Sequence, residues 1–346
     1  MKFKADDFLC YDSETKTYYM EPEQVVRDQV EKDYWKTAGK TILKDWRLYL
    51  MLVPMLLIFF CWRYLPMYEL LASFKEAMGT GSTNVADWYY VGYNHFVDLM
   101  AGSYRTSFWQ AFRNTFVLSF YGLLFGFPFP IILALFFNEI KSNAYRSVIQ
   151  VLTYLPKFIS TVIMTTLVWM LLSGNQGGYA EPGILSKLLE NIGMITSEEA
   201  NKGLLEVAEY FRPIYIISGI WEGAGYGSIV YFAAIIAVSP TSYEAAQIDG
   251  AGKMQQMRFV VLPAILSTIV IMLIVRIGSL LSIGYEQVLL LKSTNNVVNA
   301  EVMSTFALGL DAKYNTIPEF VNNITSMLLV IGANMISRKA SGTSLY

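Results

Sequence analysis

The side chains best suited to chemistry in this chain lie inside apolar stretches, where a charged group is costly unless it faces water or a partner. Glu222 and Arg276 stand out. Tyr215, Ser218, Glu222 and Gly225 share a face at helical spacing, and Arg276, Ser279 and Glu286 fall on one stripe of a second helix. Trp221, Tyr226, Tyr285 and Gln287 complete the set. Carboxylate, guanidinium and amide groups bond hydroxyls, and aromatic faces stack on the apolar side of a pyranose, so this set suits a sugar. The same residues allow a second reading, an internal Glu222–Arg276 ion pair that fixes how two helices pack. Arg63, in another apolar stretch, suits snorkelling to the interface.

The elements that position these residues are membrane spans. The chain has 346 residues, 54% hydrophobic and 16% charged, with a mean hydropathy of +0.38, the balance of a polytopic membrane protein. Six segments reach across a hydrocarbon core about 30 Å thick: 48–70, 114–137, 149–172, 213–237, 264–287 and 316–336. The expected fold is all-α. Residues 1–47 form a polar extension, 48–336 the membrane region and 337–346 a tail. The extension precedes the first span, which is therefore read as a retained span and not a cleaved leader. Lys32, Lys36, Lys40, Lys44 and Arg47 crowd its approach, and Arg338 and Lys339 follow the last span, so both termini are expected in the cytoplasm.

With a net charge of -2, nucleic acid is not an implied partner. Cys10 and Cys61 are far apart, and His95 is the single histidine, so neither a disulfide nor a histidine metal cluster is indicated. GNQGG at 174–178 lacks the Gly-Lys-Ser/Thr ending of a phosphate-binding loop. Trp88, Tyr89, Tyr90, Tyr93, Trp109 and Phe112 enrich the 71–113 loop in rings that favour the bilayer interface, and an interfacial helix is expected near 105–113. Another helix is expected over 183–191. Tyr18–Tyr19 and Tyr34–Trp35 in the extension suit either a brace on headgroups or a neighbour, or a partly ordered tail.

A polar insert at 239–263 separates the fourth and fifth spans and faces the cytoplasm in this topology. Ser239 and Pro240 suit a helix start, and Ala245 and Ala246 are small helix formers that let a helix lie closely in a groove. Gly250 and Gly252 end the helix and permit a tight reversal. A second run, 253–260, presents Met254, Met257 and Phe259 before Pro263 opens the next span. The unit reads as helix, glycine turn, helix and re-entry. It is either an interfacial connector or a grip for a partner protein.

Residues 243–263, YEAAQIDGAGKMQQMRFVVLP, resemble the cytoplasmic signature loop of binding-protein-dependent ABC importer permeases. YLPMYELLASFK at 64–75, YIISGIWEGAGYGSIVYFAAI at 215–235 and RIGSLLSIGYEQVLLL at 276–291 resemble its complex-carbohydrate subgroup. The resemblance covers about residues 48–335 and implies the type I permease fold in a bacterial cytoplasmic membrane. It implies a second permease in a heterodimer, two ATPase subunits that use ATP and Mg, an external solute-binding protein and a carbohydrate substrate. This chain itself would bind no cofactor and perform no catalysis. Carried over residue by residue, Glu244, Ala245 and Ala246 sit in the ATPase contact; Asp249, Gly250 and Gly252 form the turn; and the stretch to Pro263 supports it. A membrane-embedded enzyme would need a convergent set of carboxylates, histidines or metal ligands. An ion-driven secondary transporter would normally show internally related halves, and no clear repeat is visible.

Overall fold

The computed structural model describes residues 9–12, 17–20, 44–76, 85, 88–172 and 182–341. Tyr34–Trp35 and the 174–178 segment lie outside them. The chain divides into two units, Met1–Tyr68 and Glu69–Tyr346.

In the first unit, β1 (Leu9–Asp12) and β2 (Thr17–Met20) pair antiparallel, with Leu9 opposite Met20 and Asp12 opposite Thr17. Tyr18 and Tyr19 therefore belong to a strand. Helix α1 (Trp46–Phe59) carries Pro54 inside and widens into a π turn over Phe60–Tyr64. The backbone group freed by proline is tolerated in a membrane helix when its surroundings re-satisfy it. Residues Leu65–Phe74 tighten into a 3-10 stretch, so the first spanning helix ends before the expected residue 70.

The second unit opens with a two-residue ladder of β3 (Lys75–Glu76) and β4 (Tyr89–Tyr90). Helix α2 (Asn94–Ala101) leads to α3 (Arg105–Gly126) and α4 (Pro128–Glu139). Phe127 between them keeps helical angles, φ -70 and ψ -39, and Pro128 occupies a first-turn position where its missing N–H costs little. The expected interfacial helix near 105–113 is thus the opening of one long span. Next come α5 (Asn143–Tyr154), α6 (Thr161–Leu172), α7 (Ile184–Asn191), α8 (Ser197–Lys202) and α9 (Ala208–Ile236). The insert supplies α10 (Pro240–Ile248) and α11 (Lys253–Gln256). The chain closes with α12 (Leu266–Gly278), α13 (Tyr285–Leu291), α14 (Val297–Ala300), α15 (Met303–Leu308) and α16 (Thr316–Ser341).

Apart from the two strand pairs this is an all-α, multi-span membrane protein. Trp46–Tyr64, Arg105–Glu139 and Thr316–Lys339 are each long and apolar enough to cross a bilayer. Three further pairs qualify together but are bent: Asn143–Phe158 with Thr161–Leu172 by 99°, Ala208–Ile236 with Pro240–Ile248 by 71°, and Lys253–Ala264 with Leu266–Gly278 by 61°. The straight third span expected over 149–172 is corrected: Ile159 is extended at φ -77 and ψ 136, just after Pro156. The fifth, expected over 264–287, is corrected too: α12 stops at Gly278, and Gly284 precedes a separate helix.

Apolar packing ties these helices into three clusters. One joins Leu118, Leu172, Phe211, Val288 and Val302; a second joins Leu99, Phe108, Met303, Tyr314 and Ile317. A third joins Ala134, Tyr231, Ile235, Val261 and Ile265 beneath the insert. Gly225 allows α9 to press on α5: an added Cβ would lie 2.0 Å from the Thr153 carbonyl oxygen. That position, expected on a polar face, is a packing contact.

Candidate functional site: an exposed helical insert and a polar cavity

The insert folds as a helix with a specific stop. Pro240 sits in the first turn of α10, but Ser239 does not cap it; its hydroxyl pairs with that of Thr241 at 2.7 Å. At the other end, Gly250 adopts φ +78, which an L side chain resists. Its N–H donates to the Gln247 carbonyl at 3.0 Å and the Ala251 N–H to the Ala246 carbonyl at 2.9 Å, the paired closure of a Schellman motif. Gly252, expected to share the turn, has φ -68 and needs no glycine; its N–H donates to Gln255 Oε1 at 2.8 Å and opens α11. Residues Met257–Val261 form a π turn and Pro263 lies in the short helix that follows. The direction changes at Ile265, so Pro263 closes the second arm and does not open the next span.

Glu244, Ala245, Asp249 and Gly250 are exposed and Ala246 is half-buried. Ile248, Met254 and Phe259 add apolar surface at 86%, 73% and 68% exposure. The glycine-closed helix thus presents polar and apolar groups together at the surface.

A cavity of about 590 Å³ opens between α3, α9 and α12. Tyr215, Glu222, Arg276, Ser279 and Glu286 line it, with Gln287. Glycines 219 and 223 face open space and keep the α9 wall low. Four residues expected on the path do not line this cavity. Ser218 is buried, donating to the Tyr215 carbonyl at 3.0 Å and accepting from Gln287 Nε2 at 3.2 Å. Trp221 lines an apolar groove with Phe125, Phe129 and Leu152. Tyr226 meets Phe158 edge-on, centroids 6.1 Å apart, and Tyr285 is exposed outside the cavity lining. The stripe expected from Arg276 to Glu286 is broken between α12 and α13, yet the fold returns Glu286 to the same cavity.

Glu222 does not pair with Arg276. Its Oε1 accepts from Lys157 Nζ at 2.9 Å, and both residues line the cavity. Lys157 is not among the residues expected on the path. Its only signal is its place after Pro156, where the third span bends. Among the described residues Arg276 has no ion pair. A cavity with one committed ion pair, a free guanidinium and amide and carboxyl groups can bind hydroxylated or anionic molecules by reversible hydrogen bonds. Among the described residues no group of three His, Cys, Asp or Glu could hold a metal ion.

A family model described as binding-protein-dependent transport system inner membrane component matches residues 126–334, which include the insert and most of the cavity. Protein LplB of Bacillus subtilis is 34% identical over 321 residues, covering 90% of this chain and 96% of that protein. The polygalacturonan/rhamnogalacturonan transport system permease protein YteP of Bacillus subtilis is 35% identical over 304 residues, covering 86% and 90%. A crystal structure of a bacterial alginate ABC transporter, in complex with an alginate pentasaccharide-bound periplasmic protein, contains a chain 37% identical with a TM-score of 0.75, covering 88% of this chain and 99% of that one. This chain belongs to the family of binding-protein-dependent transport system inner membrane components. It is the membrane subunit of an ABC-type importer, a permease that works with ATPase subunits and a solute-binding protein.

Proposed function

We propose that this permease imports oligosaccharide and forms half of a passage completed by a second, different permease. Two ATPase subunits dock on the exposed α10 helix and its counterpart, with Glu244, Ala245 and Ala246 in the contact and Gly250 holding the turn. Each bent pair counts as one span, giving six, with both termini in the bacterial cytoplasm, residues 1–47 a cytoplasmic extension and 337–346 a tail. Closure of the ATPases on ATP pulls the two inserts and turns the cavity outward to receive sugar from the binding protein. Hydrolysis resets it inward.

The observation that carries this reading is the insert, a helix closed by Gly250 at φ +78 with most of its surface exposed. The sugar class is supported by the hydroxyl-binding groups of the cavity and by the polysaccharides named for YteP and the alginate transporter. Unpaired Arg276 favours acidic saccharides, since a guanidinium grips a carboxylate bidentately.

Co-expression of the chain with a candidate second permease and a candidate ATPase, followed by affinity purification, tests the assignment. A complex whose ATP hydrolysis rises with saccharide-loaded binding protein is expected. A chain that purifies stably without an ATPase, and whose presence leaves ATPase activity unaltered, would defeat it.

A further inference from the structure

Both arms of the insert bear on α4. On the first arm, Tyr243 packs against the cluster of Ala134, Tyr231 and Ile235, in which Ala134 belongs to α4. On the second arm, Lys253 is ion-paired with Glu139. Most of the remaining surface of α10 is bare.

We propose that Glu139, paired with Lys253, and Tyr243, seated beside Ala134, form the joint that delivers motion of the insert to α4, and through α4 to the wall of the cavity. They are positioning residues for coupling, outside the surface that meets the ATPase. Pro130 of α4, and Phe127 just before it, line the cavity. Gly227 of α9 rests against Pro130, with an added Cβ 3.2 Å from its ring. A displacement of α10 and α11 therefore reaches the cavity by two routes, through the chain into α9 and through the clasp into α4. Coupling of this kind needs a contiguous element that moves as a body, and the helix from Pro128 to Glu139 supplies one. The Lys253 and Glu139 side chains are 66% and 32% exposed, so solvent screens the pair. Such a pair shifts an equilibrium by no more than about fivefold, enough to alter coupling without deciding whether the protein folds.

The proposal rests on ATP-driven import and is tested in the complete complex, reconstituted in liposomes with saccharide-loaded binding protein. The readouts are saccharide uptake per ATP hydrolysed and the ATPase retained per permease. Glu139→Gln and Lys253→Gln are each expected to lower uptake per ATP by about two- to fivefold with ATPase retention unchanged. The exchanged pair Glu139→Lys with Lys253→Glu is expected to restore most of the loss. Unchanged uptake per ATP in the Gln variants would overturn the joint. So would a loss that follows release of the ATPase, which would make these residues part of the docking surface. Failure of the unaltered complex to show ATP-dependent uptake would refute the importer reading, and the joint with it.

Discussion

Lys157 donates to Glu222 Oε1 at 2.9 Å, joining the break of the third span to the middle of α9. Lys157 is 46% exposed at its side chain and Glu222 only 17%. Loss of the lysine strands a carboxylate that water reaches poorly, whereas loss of the carboxylate leaves an ammonium that water can solvate. Lys157→Gln is therefore expected to reduce folded yield more than Glu222→Gln, with a stability loss of about 2 kcal/mol for the former. Thermal unfolding of the purified variants measures this. Equal losses would contradict the asymmetry.

Arg276 faces the same cavity without an ion pair among the described residues. Arg276→Gln is expected to fold normally and to weaken uptake of uronate-containing oligosaccharides by about tenfold, with a smaller effect on neutral ones. Competition between the two classes in one uptake assay reads the difference directly. An equal effect on both would remove Arg276 from acid recognition.

Two pairs of glycines separate conformational need from mere smallness. Gly250→Val forces a β-branched residue into the left-handed region, at about 1–2 kcal/mol or more, and is expected to uncouple uptake from ATP hydrolysis. Gly252→Ala, at φ -68, is expected to transport normally. In the membrane, Gly225→Ala meets the Thr153 backbone and should collapse folded yield, while Gly219→Ala meets open space and should fold. Normal yield from Gly225→Ala would mean that α5 and α9 do not approach so closely.

The ladder of β3 and β4 is held by groups that titrate. His95 is buried, with Nε2 3.2 Å from the Lys75 carbonyl, and burial together with the nearby Lys313 ammonium pushes its pKa down. The Lys313 and Tyr89 hydrogen bonds hold Glu76 below the usual carboxylate range, and the Tyr314 hydroxyl does the same for Asp98. Each depressed group favours the folded state above its ordinary pKa and loses that contribution as pH falls. His95 acts first, below about pH 6.5; the carboxylates act below about pH 4.5. The melting temperature is expected to fall between pH 7 and pH 5, and His95→Gln, which retains a donor but does not titrate, should flatten that slope. An unaltered slope would assign the pH dependence elsewhere.

Much of this was legible in the sequence because long apolar runs and the signature of the insert are local signals. The glycine stop at Gly250 follows from residue type alone, and the helix at Ile184–Asn191 falls within the expected 183–191. What was not legible depends on tertiary placement. Hydropathy does not show that the third span turns by 99° at Ile159, and so it does not show that Lys157 reaches Glu222. Helical spacing joined Arg276, Ser279 and Glu286 on one stripe because it assumed an unbroken helix. The chain unwinds after Gly278, and the cavity reunites the three by another route. Trp221 and Tyr226 have sugar-binding chemistry but point to apolar neighbours, a choice that only packing makes.

This chain is expected to move saccharide only as a subunit driven by ATP. Liposomes holding the purified chain with its partner permease and ATPase, supplied with saccharide-loaded binding protein, should accumulate labelled oligosaccharide when ATP is inside and none when a non-hydrolysable analogue replaces it. Accumulation by the chain alone under a sodium or proton gradient, without ATPase or ATP, would contradict the account.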